Sequence, residues 1–397
     1  MSANQTTTIA IIGGGLAGAT LANALLKHPH LTTHIFESAP EFSARGAAVG
    51  IDMNAQAALA EIGGAAADAV ERAGGVLVTS SRLLMGAGPH ALETVFDLAP
   101  SQRGKVVHRA ALLSELLKSI DDSRKHVIKK VLRIERSHSS QLAIHFEDGT
   151  VFHAHAVIGA DGVRGHVRRH VLGAEHPAVS ARRSRFWDAR SLVSIDKARE
   201  VLGGEYFAEP RQYGYVGDGA FFMHDKHDDG EMVQFVVTGL IGFEDAIKGC
   251  FEPSLRDSIV EAFPQPHHEV DAPTYINGYV CIMGDAAHCM TSWQGSGAAQ
   301  ALEDAMILDT LLGQVKYVSD IPAVVRAYNH VRRCRTQRIV HSSAETGLIM
   351  CGRGTDTGLD IGKVQQLLPG QWHFIYDHDH AKHKQAALRS FDQQFNH

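Results

Sequence analysis

The chain has 397 residues and a formal charge of -6, with 44% hydrophobic and 21% charged residues. That is the balance of a soluble globular protein of two or three domains, large enough to bury a core and enclose a cofactor. No long Lys/Arg block is present, which excludes a nucleic-acid partner, and no apolar run is long enough to span a membrane.

The five cysteines, Cys250, Cys281, Cys289, Cys334 and Cys351, are odd in number and contain no CxxC pair. This argues against a disulfide scaffold or a cysteine zinc site and fits a reducing compartment, with the cytoplasm expected. The apolar stretch 9–12 is too short for a signal sequence. The tail segment Asp377-His378-Asp379-His380 has metal-binding residue types. It reads as a solvated tract, and no metal ligand is assigned.

In chain order, residues 8–12 form a β-branched run, 17–27 an Ala/Leu-rich helix and 33–36 a second strand-like run closed by Glu37. This is a βαβ unit. Residues 106–118 read as a strand entering a helix. Residues 131–146 and 151–152 read as a meander turning at Glu147-Asp148-Gly149, and 156–160 as a buried strand ending at Asp161-Gly162. Between 182 and 273 apolar–polar alternation appears, as in 204–207 and 232–238, and implies a mostly antiparallel sheet. A strand at 279–283 precedes Gly284-Asp285. A long helix then starts near Ser296, with Ala298, Leu302, Ala305, Leu308 and Leu312 at steps of three and four. From about 321 the chain reads as helical. The short basic run Arg164, Arg168, Arg169 reads as a solvated helix face.

Gly13-Gly14-Gly15-Leu16-Ala17-Gly18 contains GxGxxG between a strand and a helix. Gly13 serves the tight turn, Gly15 the close approach of backbone to a pyrophosphate, and Gly18 the packing of helix on strand. The helix start offers free N–H groups to phosphates. Glu37, about 20 residues further on, suits ribose hydroxyls. This unit predicts a dinucleotide site but leaves FAD and NAD both open. No second such unit appears.

With the Asp-Gly ending at Asp161-Gly162 and the Gly-Asp ending at Gly284-Asp285, the chain resembles the group A FAD-dependent aromatic monooxygenases, in particular the salicylate hydroxylase branch with its fungal phenol-hydroxylating and dearomatising relatives. The resemblance rests on Gly13–Gly18, Glu37, Val107-His108-Arg109, Gly159–Gly162, Gly284-Asp285-Ala286-Ala287-His288, Trp293–Ala298 and the stretch 300–305. It covers nearly the whole chain and is weaker between 192 and 273. It implies an α/β fold: a Rossmann-like FAD-binding domain interleaved with a mostly antiparallel substrate domain, plus a helical C-terminal segment. The expected boundaries are 1–180 for the first FAD-binding part, with a substrate-domain excursion near 75–100. They continue as 181–273 for the substrate domain, 274–320 for the second FAD-binding part and 321–397 for the helical region.

The resemblance also implies residue roles. Glu37 binds the adenosine ribose, Gly50 lies on a loop near the flavin, and Arg109 contacts FAD from its helix start. Asp161 and Gly162 serve FAD and the visiting NADPH or NADH. Asp285 binds the ribityl–phosphate region, and Gly297 and Ala298 set helix N–H groups by the flavin, where an anionic ring is stabilised. Arg190 is the implied catalytic residue, gripping a phenolate or carboxylate. Met53, Tyr215, Phe221, His224 and Trp293 are candidate pocket walls. The implied reaction spends NAD(P)H and O2 to hydroxylate a salicylate-like or acyl-phenol substrate through a C4a-hydroperoxyflavin, in a monomer or homodimer. Two alternatives stay open: a flavoenzyme of this fold with a non-phenolic substrate, and a non-catalytic FAD-binding protein. The chain departs from its relatives at Ser292, where they carry proline, and at Asp225-Lys226, where they carry Tyr-Pro or Phe-Pro.

Overall fold

Strand β1 (Thr7–Ile12) is buried along almost its whole length, as a strand covered on both faces must be. In the computed structural model, which describes residues 6–43, 48–77, 81–97, 104–136, 141–209, 211–227, 230–242 and 265–395, it lies inside a six-stranded sheet. It pairs in parallel with β2 (Leu31–Phe36) on one side and β12 (Ala156–Gly159) on the other. Beyond them lie β8 (Lys125–His126) at one edge, and β19 (Val280–Ile282) and β18 (Ile276–Asn277) at the other. The connections after β1 and β12 leave in opposite directions, so a crevice opens at their C-terminal ends.

Helix α1 (Leu16–Ala24) follows β1 and is buried at eight positions, wedged between the sheet and the central helix named below. A Cβ on Gly18 would stand 2.0 Å from the Gly13 carbonyl oxygen, so only glycine allows this approach. Helix α2 (Met53–Ile62) and the single turns α3 (Gly64–Ala67) and α4 (Ala69–Arg72) flank it. Strands β3 (Ala48–Ile51), β7 (Lys105–His108) and β4 (Val76–Leu77) make a small antiparallel sheet, and β7 runs into α5 (Arg109–Leu117). Gly50 is therefore in a strand, opposite Val106, rather than on a loop as expected. The meander is β9 (Val131–Arg136), β10 (Leu142–Phe146) and β11 (Val151–Ala154).

A seven-stranded sheet stands against this body. Its order is β17 (Gln265–Glu269), β13 (Arg182–Ser194), β16 (Met232–Leu240), β15 (Ala220–His227), β14 (Gln212–Val216), β5 (Ser81–Met85) and β6 (Thr94–Asp97). Only β14 and β5 pair in parallel. Successive side chains alternate between its faces. The outer face buries Trp187, Tyr215, Phe222 and Phe235 under α7 (Ile195–Leu202) and Phe207. The inner face presents Leu83, Met85, Phe186 and Phe221 to Trp293 and the C-terminal helices. Residues 204–207, expected as a strand, form a 3-10 turn instead. Four alternating residues do not distinguish the two, and here Gly203, at φ +100°, turns the chain so that Phe207 covers the outer face.

Helix α6 (Val167–Leu172) and the turn α8 (Asp285–His288) flank the crevice. Helix α9 (Gly297–Leu312) is the central helix, buried at all but three of its 16 residues, including Gln300, Glu303, Asp304 and Asp309. The 30-residue α10 (Ile321–Met350), then α11 (Ile361–Leu367), α12 (Gly370–Tyr376) and α13 (His380–Asp392), complete the chain. Among the described residues no helix is long and apolar enough to cross a membrane. Cys281, Cys289 and Cys334 are free thiols, and Cys250 lies outside the described residues, as does the 98–100 end of the expected excursion.

Candidate active site

The crevice at the ends of β1 and β12 holds a cavity of about 630 Å³, within the range of cofactor sites. Gly13, Gly15, Glu37, Arg109, Asp161, Gly162, Asp285, Gly297 and Ala298 all line it. Gly18 does not, because its work is the helix–strand contact. Gly50 is also off the wall, next to Val49, which is on it.

The donors are arranged for a long ligand. At one end, Glu37 is fixed by accepting the N–H groups of Gly14 and Ala39, each at 2.8 Å. Next comes the N-terminus of α1. Ideal Cβ atoms on Gly15 and Gly297 would meet nothing within 4 Å, so the backbone there faces open space that a side chain would fill. Asp161 accepts the Val167 N–H at 3.0 Å through Oδ2, while its buried Oδ1 has no partner. Burial raises its pKa, so this orphaned oxygen suits a ligand hydroxyl. Exposed Asp285 opens α8, and at the far end the first N–H groups of α9 lack intrahelical partners. Carboxylates for ribose and ribityl hydroxyls, with helix N-termini for phosphates and an anionic ring, fit FAD.

Sequence reasoning missed several residues of this wall. Lys129 and Lys130 line it beside Arg164, which faces this cavity and is not part of a solvated helix face. Arg168 of the same run is only 1% exposed. It donates to the carbonyls of Val163 at 2.6 Å and Ala286 at 2.9 Å, tying the Asp161-Gly162 turn to the Gly284-Asp285 turn. The second turn has a further anchor. Asp304 accepts the Gly284 N–H at 2.9 Å and lies 2.6 Å from His288 Nε2. Arg332, fully buried, reaches Asp304 at 2.7 Å and Glu303 at 2.6 Å, and Arg335 also binds Glu303. Burial alone pushes both carboxyl pKa values up. Arg332 and Arg335 hold Glu303 well below the usual range, and His288 and Arg332 lower Asp304.

Asp52 caps α2 in position, yet its side chain makes no capping bond. It lies instead behind Gly295 and pairs with the Tyr376 hydroxyl. Burial pushes its pKa up from 3.8 to about 6, against the pull of that hydroxyl. A carboxyl whose folded pKa is raised is most at ease below the unfolded value, and that stability is lost as pH rises from about 4 through 6. We expect Asp52→Asn to melt higher than the parent at pH 8, by up to about 3 kcal/mol, and to match it near pH 4. Thermal melts at the two pH values read this directly, and an equal shift at both would show that the charge is not the cause.

The candidate pocket walls divide between the two faces of the large sheet. Phe221 is on the inner face, and Trp293 packs edge-on against it and against Phe186 at 5.7 and 5.1 Å between ring centres. Tyr215 and His224 are on the outer face, bonded to each other at 3.1 Å and buried in the cluster under α7. They line neither the cofactor cavity nor the inner face of the sheet. Burial keeps His224 neutral, with a pKa of about 3. Lys226 also points outward, donating to the Phe207 carbonyl at 2.6 Å. Met53 starts α2 and is 43% exposed. Arg190 shares an inner-face row with Val236 and Met223. Its side chain is 58% exposed, pairs with Asp188 at 2.8 Å and does not line the cofactor cavity. We expect Phe221→Ala to raise KM for the aromatic substrate several-fold with FAD retained, and Tyr215→Phe to leave KM unchanged. Steady-state kinetics of both variants separate the two faces.

The two-turn cavity at a βαβ crevice, lined by Glu37, Asp161 and Asp285, has the form of a flavin-dinucleotide site. A family model described as an FAD binding domain matches residues 248–343. The 6-methylsalicylate 1-monooxygenase atA of Aspergillus terreus (strain NIH 2624 / FGSC A1156) is 32% identical over 98% of this chain and 94% of its own length. A salicylate hydroxylase of Pseudomonas putida is 28% identical over 94% and 92%. A salicylate hydroxylase substrate complex superposes with a TM-score of 0.84 at 24% identity, covering 97% of this chain and 98% of its own. The chain belongs to the FAD-dependent aromatic monooxygenases of the salicylate hydroxylase type, which draw electrons from NAD(P)H. Membership of a catalytic family favours turnover over the non-catalytic reading.

Proposed function

We propose that the protein hydroxylates a small ortho-hydroxybenzoate or acyl phenol, held between the inner face of the large sheet and the α9 end of the cofactor cavity. One observation carries this reading. Ser292 lines the cofactor cavity, and the next residue, Trp293, packs on Phe186 and Phe221 of the inner face. A single turn thus joins the cofactor wall to an aromatic surface.

FAD, when bound, would supply the redox chemistry of a hydroxylation in which NAD(P)H is oxidised and O2 is divided between the ring hydroxyl and water. The chain's own residues position and shield. Glu37, Asp161 and Asp285 accept ligand hydroxyls. The α1 N-terminus would hold the pyrophosphate and the α9 N-terminus the flavin ring. Phe186, Phe221 and Trp293 exclude water and stack against the substrate ring. Arg190 is a cation on that face. By leaving Asp188 it can hold a phenolate, the more electron-rich form of the ring, or a carboxylate.

The test is NAD(P)H oxidation by the FAD-loaded protein against a panel of ortho-hydroxybenzoates and acyl phenols, with product masses. Stimulated oxidation and a product one oxygen heavier, or one oxygen heavier with loss of CO2, support the reading. We expect Arg190→Ala to lower kcat/KM at least about 10-fold at unchanged FAD content, the scale of losing one charged hydrogen bond. Unaltered turnover removes Arg190 from the site.

A further inference from the structure

Three imidazoles of the C-terminal segment converge on the side of α9 that carries Glu303. His378 precedes α13, and His380 and His383 lie in its first turn. One ring nitrogen of each and one Glu303 carboxylate oxygen all lie within 4.8 Å of one another.

The hydrogen bonds fix which nitrogens are bare. His380 Nε2 lies 2.8 Å from the Asn54 carbonyl, and because a carbonyl only accepts, Nε2 carries the proton. Nδ1 is then an open lone pair. It is buried, has no partner, and belongs to a residue only 5% exposed. In His383, Nε2 faces the Val331 carbonyl at 3.3 Å, so Nδ1 accepts the His378 Nε2–H at 2.8 Å, a shared proton that an entering metal ion would displace.

A neutral imidazole whose far N–H is anchored on a carbonyl is the arrangement of a metal-ligating histidine. The surrounding charge permits a cation. Arg332 and Arg335 are matched by Glu303 and Asp304 before any ion enters. Three nitrogens with one carboxylate select zinc or its neighbours over magnesium or calcium. Bonds of about 2.0–2.1 Å require the donors to draw in to about 3.3 Å apart, which ring rotations can supply. The Glu303 carboxylate is already oriented by Asn54, Gln300 and the two arginines.

We propose that His378, His380 and His383, with Glu303, form a site for one divalent ion of the zinc class, which staples the C-terminal helix to the central helix behind the cofactor. The ion is structural: it sits away from the cavity wall, and its occupancy stiffens the α9 end of the cradle.

The experiment uses the full-length FAD-loaded protein, made without a polyhistidine tag and stripped with a chelator. Zinc chloride alone is titrated by calorimetry, and zinc retained after desalting is counted by elemental analysis. The expected result is one zinc per chain, a higher melting temperature with zinc, and affinity lowered more than about 100-fold in His380→Asn and His383→Asn but not in the surface control His153→Asn. Because these variants can misfold, cobalt(II) is also added to the parent protein, where tetrahedral nitrogen ligation gives an intense visible spectrum. A parent protein that retains no zinc and shows no such spectrum overturns the proposal. So does zinc held equally by the parent and both histidine variants, which places it on other histidines.

Discussion

Arg332→Met is expected to destabilise the protein by about 3–5 kcal/mol and to release FAD, although position 332 touches no cavity wall. The guanidinium is fully buried and is the shared partner of Glu303 and Asp304. Without it, Asp304 keeps His288 and the Gly284 N–H, and Glu303 keeps Arg335 with the Asn54 and Gln300 amides, so two buried carboxylates share one remaining guanidinium. An under-compensated carboxylate at zero exposure is among the costliest defects a core can carry. The loss reaches the cofactor because the same Asp304 holds the Gly284 N–H, and so the turn that presents Asp285. Lysine does not rescue, since one ammonium cannot replace a planar fork spanning two carboxylates. Thermal melts and FAD content by absorbance check both effects. Wild-type values for both would show that this ion cluster does not hold the turn.

Gly15→Val is expected to do the opposite: to leave the apo-protein's melting temperature nearly unchanged while lowering FAD affinity at least about 100-fold, or about 3 kcal/mol. Gly15 has φ -73°, a conformation any residue adopts, and nothing stands within 4 Å of its ideal Cβ. The added side chain therefore meets no protein atom and fills the space the dinucleotide needs. Gly13→Ala is the control with the reverse signature. Gly13 has φ +110°, and a Cβ there would lie 2.2 Å from the Ala160 carbonyl oxygen, so the crossing of β1 and β12 itself is damaged. Fluorescence titration of FAD with the two apo-variants, beside their melting curves, separates cofactor exclusion from structural damage. Normal FAD binding by Gly15→Val would mean the pyrophosphate does not pass over this loop.

Much of the cofactor cradle was legible because its signals are local. A strand, a glycine turn, a helix start and an acidic residue sit within one βαβ unit, and Asp161-Gly162 and Gly284-Asp285 each end a buried strand. What reads poorly depends on contacts distant in sequence. Arg168 and Arg332 look like solvated helix cations, yet both are buried, one on the carbonyls of two turns and the other on two carboxylates of α9. Nothing in the spacing of α10 separates Arg332 from its exposed neighbours. The sheet faces were illegible for another reason. Residues 220–225 and 213–216 carry large side chains on both faces, so alternation does not tell which parity is inner, and a change of parity exchanges Phe221 for His224. The histidine tract reads as a solvated tail in the sequence because Glu303, Asn54 and Val331, which enclose it, lie far away in the chain.

The most direct test of the central claim is a single turnover reaction under isotopically labelled O2, with FAD-loaded protein, NAD(P)H and the ortho-hydroxybenzoate that best stimulates oxidation. The account predicts one labelled oxygen atom in the aromatic product and none taken from labelled water. A product whose new oxygen comes from water, or NAD(P)H consumption that yields only labelled hydrogen peroxide with every phenol in the panel, would contradict it.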